Sequence, residues 1–378
     1  MSFLKFNPCV FVIGDYYEII AVAKTNGIFC INAFGHECYE ENSGVLASEK
    51  NYAKIRIPQS ALNSTSAYRV IFREAINRKG YFSEIGEPQM EKFEFKPFKK
   101  TENINIYHIS DVHFCFDIAK QTASYFGDET DLFVFNGDIG EVETIEHYEK
   151  SLEFVSSITK GKVPAIYTRG NHDARGKLAE KFTDYNPADG KNLYYTFSLG
   201  NLRGVVLDCG EDKLDDYVDY SYENPYVYGG VNRFHDYRVR EFAWLKTVQS
   251  YKDDKNVIPF AISHISPSVT TTRKGGAMDI ERPLYTEWNE QLDRIGIKFM
   301  LSGHLHKYFV AESGSEHDTL PHNYPVVIGA SVGGRYENKK LVPVSFVGTA
   351  LVLNPDKMEV SFTDHELKVR SSQTVYFK

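Results

Sequence analysis

Five apolar runs in the C-terminal part of the chain each stop at a cluster of Asp, Asn or His. They are 105–109, ended by Ser110-Asp-Val-His113; 131–135, ended by Asn136-Gly-Asp138; 163–168, ended by Arg169-Gly-Asn-His-Asp173; 257–262, ended by Ser263-His264; and 297–301, ended by Ser302-Gly-His-Leu-His306. Asp131-Leu-Phe-Val-Phe135 is almost unbroken in its apolar character, the mark of a strand buried on both faces. After it, Ile145, Tyr148, Leu152, Val155 and Ile158 recur at helical spacing. Strands alternating with helices predict an α/β fold with a parallel sheet. In such sheets, ligand chemistry gathers just past the carboxyl ends of the strands, which is where every one of these clusters lies.

Residues 1–98 carry a different pattern. Val10-Phe-Val-Ile13, Tyr17-Glu-Ile-Ile-Ala-Val22 and Gly27-Ile-Phe-Cys-Ile-Asn32 are short β-prone runs, and Asn26-Gly27 is a strong hairpin signal between the last two. Lys54-Ile-Arg-Ile57, Tyr68-Arg-Val-Ile-Phe-Arg73 and Lys92-Phe-Glu-Phe-Lys-Pro-Phe98 alternate as half-buried strands do. Short strands separated by turns predict a small β-sandwich, of fibronectin or immunoglobulin type. The polar run 99–103 reads as a linker, which leaves 104–378 as the second domain. Within that domain, 192–208 reads as a hairpin turning at Leu199-Gly-Asn-Leu202. The segment 238–251 is amphipathic, with Val239, Phe242, Leu245 and Val248 on its inner side. Residues 211–237 are rich in Tyr and Asp, lack a period, and have the character of a functional loop.

A length of 378 residues exceeds one ordinary core and agrees with two domains. The formal net charge of -8 argues against a nucleic-acid polymer as partner, because phosphate neutralisation needs clustered cations. Five cysteines without a Cys-x-x-Cys pair fit reduced thiols better than a disulfide framework or a zinc knot. No apolar run is long enough to span a bilayer, and Met1-Ser-Phe-Leu-Lys-Phe-Asn-Pro8 lacks the pattern of a secretory leader. A cytoplasmic protein without membrane attachment is the expectation; the oligomeric state is open.

Taken singly, each cluster has a structural reading. Asp111-Val-His113 serves as a turn or helix cap, Gly137-Asp138 and Gly170-Asn171 as turns, and His264 as a half-buried histidine with a hydrogen-bond partner. Taken together they form a ligand inventory: Asp111, His113, Asp138, Asn171, His264, His304 and His306, with His172 left over. In Asp-x-His and His-x-His the two side chains of an extended segment point to one side, so each pair converges on a point. Asp, Asn and His are oxygen and nitrogen ligands suited to Zn, Fe or Mn. Two metals with about four ligands each and one shared would use this set.

In order along the chain, these motifs resemble the five-motif signature of the calcineurin-like metallophosphoesterases, over about residues 104–378. The resemblance implies a four-layer α/β/β/α sandwich around two metal ions. It implies Asp111, His113 and His306 on the first metal, Asn171, His264 and His304 on the second, and Asp138 bridging both. It implies His172 as general acid or substrate-orienting histidine, held by Asp173. The implied reaction is hydrolysis of a small phosphate ester by in-line attack of a metal-bridging hydroxide, since two cations about 3.5–4 Å apart stabilise both the attacking and the leaving oxygen. A histidine suits the proton delivery.

The β-rich N-terminal region ahead of such a domain also resembles purple acid phosphatases, and Gly303-His-Leu-His-Lys-Tyr308 is similar to their last motif. Those enzymes carry a metal-binding tyrosine three residues beyond the bridging aspartate; Glu141 stands there in this chain. The substitution removes the phenolate that colours a ferric site and leaves Fe, Mn or Zn as candidates. A phosphomonoesterase is favoured, with a phosphodiesterase acting on a cyclic nucleotide or other small diester as the alternative. A non-catalytic scaffold is more remote, because no position of the ligand set is missing. Asn171 is also a substrate-contact candidate, and Arg169 either touches phosphate or pairs with a structural carboxylate. Around the cleft, Tyr217, Tyr220, Tyr222, Tyr226 and Tyr228 offer stacking surfaces, and Arg273, Lys274 and Arg335 offer phosphate contacts. The bland reading of these is a packed tyrosine-rich loop and solvated basic turns.

Overall fold

The Leu132–Asn136 strand is buried along its whole length inside the largest sheet, as its apolar sequence requires. The computed structural model describes residues 2–218, 220, 223–269, 281–337 and 340–377, and in it that sheet has ten strands. From one edge the order is Val369–Tyr376, Lys357–Asp364, Lys340–Leu353, Ile104–Ile109, Leu132–Asn136, Ala165–Thr168, Cys9–Ile13, Tyr16–Val22 and Tyr52–Pro58, with Ser331–Glu337 paired onto Lys340–Leu353. The Ile104–Ile109, Leu132–Asn136, Ala165–Thr168 and Cys9–Ile13 strands run parallel. A second sheet of six strands holds Tyr195–Leu199, Leu202–Leu207, Ile258–Ser263, Phe299–Ser302, Val326–Ile328 and Phe309–Ala311.

The two sheets pack face to face. Leu132, Val134, Ile104 and Ile106 from the first meet Val206, Phe260, Ile262 and Leu301 from the second in one core. The alternate residues of the same strands, Phe133, Phe135, Tyr107 and Ile109, lie instead with Ala119, Tyr148, Leu152 and Val155 of the Phe116–Ala123 and Ile145–Thr159 helices. On the far side of the second sheet, Val205, Ala261 and Met300 pack with Phe242 and Leu245 of the Phe234–Leu245 helix and Trp288 and Leu292 of the Arg282–Ile295 helix. The result is the expected α/β/β/α order of layers. Each fully buried large apolar side chain contributes about 1.5–3 kcal/mol relative to exposure, so the double-faced burial of the central strands fixes their register.

Local signals are met where they concern one element. Thr144 caps the Ile145–Thr159 helix by accepting from the His147 N–H, and the predicted inner positions Tyr148, Leu152 and Val155 are buried, while Ile145 is exposed. Leu199 pairs with Leu202 across Gly200-Asn201, closing the expected hairpin. The helix predicted at 238–251 is Phe234–Leu245, and Val239 faces out. Its inner face holds the expected Phe242 and Leu245 together with two buried charged residues: Arg238 donates to the carbonyls of Cys209 and Glu211, and Glu241 accepts the Asp208 N–H at 2.8 Å. All five cysteines are free.

The β-rich N-terminal region is present, and its strands are shared between two sheets. Gly27–Ala33, His36–Tyr39, Ala67–Asn77, Glu84–Ile85 and Gln89–Glu94 form a small sheet. Cys9–Ile13, Tyr16–Val22 and Tyr52–Pro58 extend the ten-stranded sheet, entering it through Phe11 beside Ala165. Phe29, Ile31, Val70 and Phe72 then pack with Tyr17, Ile19, Ile55 and Ile57, so one layer of the expected sandwich is the end of the large sheet. The run 99–103 therefore separates two sequence patterns that share a core, and 1–98 is not closed off from the strands that begin at Ile104. Asn26-Gly27 likewise turns the chain from one sheet to the other, since Tyr16–Val22 pairs with Cys9–Ile13 and Tyr52–Pro58, not with Gly27–Ala33.

Candidate metal centre

The predicted ligands come together at the carboxyl ends of the parallel strands of both sheets. Asp111 and His113 follow Ile104–Ile109, Asp138 follows Leu132–Asn136, Asn171 follows Ala165–Thr168, His264 follows Ile258–Ser263, and His304 and His306 follow Phe299–Ser302. Asp111, His113, Asp138, His304 and His306 all have left-handed backbones, with φ of 54°, 46°, 54°, 66° and 49°. Non-glycine residues adopt that region rarely, and it clusters where geometry at a site overrides backbone preference. Two glycines explain how the loops come so close. A Cβ on Gly170 would lie 2.1 Å from Asp138 Oδ1, and one on Gly303 would lie 1.8 Å from Ser110 Oγ and 2.7 Å from Asp111 Oδ2.

Asp111, His113 and His306 form one group, with His306 Nε2 3.4 Å from Asp111 Oδ1 and 3.2 Å from His113 Nε2. Asp138 Oδ2 lies 3.9 Å from His113 Nε2 and 3.3 Å from His264 Nε2, and so stands between that group and the next. His304 Nδ1 is 2.9 Å from Asn171 Oδ1. The His304 ring centroid is 5.6 Å from that of His264. Asp111, Asp138, His264 and Asn171 are buried, and His306 is exposed at the mouth.

His264 tests whether cations fit. Its Nδ1 lies 2.7 Å from the Asn136 carbonyl, which only accepts, so Nδ1 carries a proton. Nε2 is then a lone pair in the neutral ring, buried without a hydrogen-bond partner and facing the Asp138 and Asp111 carboxylates at 3.3 and 3.8 Å. An acceptor aimed at two anions calls for a positive charge between them. The electrostatics carry the same demand for positive charge: burial favours the neutral ring, but Asp138 and Asp111 outweigh it and push His264 up to about 10, so that in the metal-free chain a proton on Nε2 takes the place that a cation would fill. Burial holds His113 down at about 4 and His304 at about 3, leaving both as neutral rings of the kind that bind metals. The oxygen and nitrogen donors suit divalent first-row ions.

His172 is half-buried beside this cluster, its ring centroid 4.8 Å from that of His113, and its backbone N–H donates to Asp138 Oδ1 at 2.9 Å. Burial lowers its pKa against the pull of Asp138. Asp173 does not hold the His172 ring. Its Oδ2 accepts the backbone N–H groups of Gly170 at 2.8 Å and Asp138 at 2.9 Å. The two residues are consecutive in the tight His172–Ala174 turn, where neighbouring side chains point apart. Burial and the Asp138 charge raise Asp173 to about 7, against those two N–H donors. Arg169 takes the structural option: it pairs with buried Asp208, Nη2 to Oδ2 at 2.8 Å and Nε to Oδ1 at 3.3 Å.

A second arginine, missed in the sequence, stands beside the histidine. Arg175 Nη1 is 3.4 Å from His172 Nε2. The guanidinium is clamped by Glu211, through Nε to Oε2 at 2.5 Å and Nη2 to Oε1 at 2.6 Å, and Nη2 also reaches Asp212 Oδ1 at 3.0 Å. Asp212 Oδ2 in turn lies 3.6 Å from His304 Nε2. The sequence signals for Arg175 are that it follows His172 by three residues and that Glu211-Asp212 opens the irregular, tyrosine-rich segment. Tyr228 closes this corner, with Arg175 Cζ 5.5 Å and Lys213 Nζ 5.0 Å from its ring centroid. Tyr217 packs against Tyr228 at 6.0 Å, whereas Tyr220 and Tyr226 are exposed. Tyr222, Arg273 and Lys274 lie outside the described residues, and Arg335 is on the Ser331–Glu337 strand. Glu141 is exposed and groups with Glu143 and His147 instead of Asp138.

A family profile described as calcineurin-like phosphoesterase matches residues 104–308. No curated protein matches the sequence. Among solved structures, the chain is similar to the purple acid phosphatase PPD1 from yellow lupin (Lupinus luteus) seeds, at 10% identity and a TM-score of 0.60, over 98% of this chain and 74% of that one. It is similar also to PhoD, at 10% identity and a TM-score of 0.54, over 99% of this chain and 89% of that one. At this identity the likeness is one of fold, and it extends over the N-terminal β-rich region as well as the two large sheets.

Proposed function

Because the chain belongs to the calcineurin-like phosphoesterase family, we propose that its site is a two-metal centre that hydrolyses a small phosphate monoester. The observation that supports this most is the buried, unpartnered Nε2 of His264 facing Asp138 and Asp111 amid four further imidazole and carboxamide donors.

In this reading Asp111, His113 and His306 hold one ion, Asn171, His264 and His304 the other, and Asp138 serves both. Fe, Mn and Zn all match the donor chemistry. When bound, such ions supply Lewis-acid charge to a phosphoryl group and to the attacking water. The chain does the rest. The Asn136 carbonyl fixes the His264 tautomer, as carbonyls behind ligand histidines do, and Asp212 lends negative charge 3.6 Å from His304 Nε2. His172 at the rim delivers its ring proton to the leaving oxygen. Arg175, held rigid by Glu211 and Asp212, offers Nη1 to a phosphoryl oxygen lying between it and His172. A monoester presents a free oxygen there, which favours it over a diester.

Turnover of a nitrophenyl phosphate monoester, its diester and cyclic nucleotides after reconstitution with Mn, Zn, Fe or Ni tests the proposal. The monoester should be the best substrate and a chelator should abolish its hydrolysis. Absence of turnover with every metal and substrate, in protein that binds two ions, would overturn it.

A further inference from the structure

A cavity of about 500 Å³ opens behind the His172 turn, between the 179–184 segment and the N-terminal end of the Phe234–Leu245 helix. None of the proposed metal ligands lines it, nor does His172 or Arg175. Its wall holds Arg169, Lys181, Lys191, Arg233 and Arg240 but only two carboxylates, Glu180 and Asp184, in a chain whose net charge is -8. Lys181 is 3.6 Å from Asp184. Among the described residues, Lys191, Arg233 and Arg240 form no ion pair, which leaves three cations facing Glu180. At the floor, the Arg169 side chain is only 12% exposed. Its Nε and Nη2 are committed to Asp208, and its Nη1 has no hydrogen-bond partner among the described residues. Asp208 is already saturated by Tyr237 Oη at 2.9 Å and the Gly210 N–H at 3.0 Å, so it cannot turn to neutralise the other cations.

A concave wall of one sign with a low-dielectric lining focuses its field and concentrates counter-ions. A guanidinium with a free edge is suited to a phosphoryl or carboxylate group. The volume falls in the range of small-molecule sites, about 300–1,000 Å³, and is too large for a bare oxyanion to fill. The side chains of Phe234 and Leu193 supply the apolar part of the wall. We propose that this cavity is a second anion site, distinct from the metal centre, that takes a phosphorylated small molecule with its phosphoryl group among Arg169, Arg233 and Arg240. Arg169 directly precedes Gly170, whose N–H is held by Asp173 together with that of Asp138, so an occupant of the cavity abuts the loop that carries Asn171 and His172.

Titration of the metal-loaded chain with phenylphosphonate, a non-hydrolysable probe, and separately with inorganic phosphate tests this. Wild type should bind two equivalents of phenylphosphonate. The exposed-residue variant Arg233→Ser/Arg240→Ser should lose one of them, with its dissociation constant raised at least tenfold, while hydrolysis of nitrophenyl phosphate stays unchanged. His304→Ala, which impairs the metal centre, should keep that same event. Inorganic phosphate binding there as tightly as phenylphosphonate identifies the site with released phosphate; phenylphosphonate binding alone identifies it with a phosphorylated organic molecule. A single equivalent in wild type that His304→Ala abolishes, or binding untouched by the double variant and by Arg240→Glu, overturns the proposal.

Discussion

The backbone N–H of Asp138 donates to Asp173 Oδ2 at 2.9 Å, so the last residue of the Gly170–Asp173 motif fastens the loop of the central carboxylate and not the ring of its own neighbour. The same oxygen accepts from Gly170, and Asp173 is buried. Asp173→Ala should strand two buried N–H groups at about 1–3 kcal/mol each and lower the unfolding free energy by roughly 2–6 kcal/mol. Asp173→Asn, which keeps one acceptor oxygen, should lose less. Urea unfolding measures this. Wild-type stability with reduced turnover alone would return Asp173 to the role of orienting His172.

Asp138→Ala should remove the capacity to hold two ions. Its Oδ2 is the carboxylate oxygen 3.3 Å from His264 Nε2 and 3.9 Å from His113 Nε2, and its Oδ1 anchors the His172 N–H. Elemental analysis of the reconstituted variant should find at most one metal per chain. Full stoichiometry would show that the ions do not share this residue.

That Asp111, His113, Asp138, Asn171, His264, His304 and His306 gather at one place was legible because it depends on local rules. Strands end where apolar runs end, and residues two apart in an extended segment face one point. The double-faced burial of Phe133 and Val134 agrees with an unbroken apolar run. What the sequence hid depends on partners far apart in the chain. Asp173 finds Asp138, Arg169 finds Asp208, and Arg175 finds Glu211, partners 35, 39 and 36 positions apart in the chain. No local period encodes such pairs. The membership of Cys9–Ile13 in the large sheet was hidden for the same reason, since its parallel partner Ala165–Thr168 lies far downstream. On the Phe234–Leu245 helix a hydrophobicity reading finds Phe242 and Leu245 but not the rest of the buried face, because Arg238 and Glu241 share it through hydrogen bonds.

The two arginines should separate cleanly. Arg169 is paired with Asp208, which is almost wholly buried, and removing one partner of such a pair costs about 3–5 kcal/mol. Arg169→Ala should therefore lower the melting temperature, with the folded fraction turning over substrate at a rate near wild type. Arg175→Lys retains a cation for Glu211 but cannot span both its oxygens and also reach toward His172. It should melt near wild type while kcat/KM for a monoester falls about 10- to 100-fold, the loss of one charge-assisted hydrogen bond of about 1.5–3 kcal/mol. Thermal melts read beside kinetics decide the matter; the reverse pattern would exchange the two assignments.

His172→Ala should leave both metals in place, because its ring nitrogens are not needed by any ligand group in the proposed assignment and its backbone N–H to Asp138 survives the substitution. Turnover of an alkyl phosphate should fall about 10²–10⁴-fold, the usual range for loss of a general acid. For nitrophenyl phosphate the fall should be much smaller, since a phenolate that is already stable needs little help from a proton. The two substrates thus separate proton delivery from substrate placement: an equal fall for both would mean that His172 only positions the phosphoryl group, and a loss of metal would place its ring among the ligands.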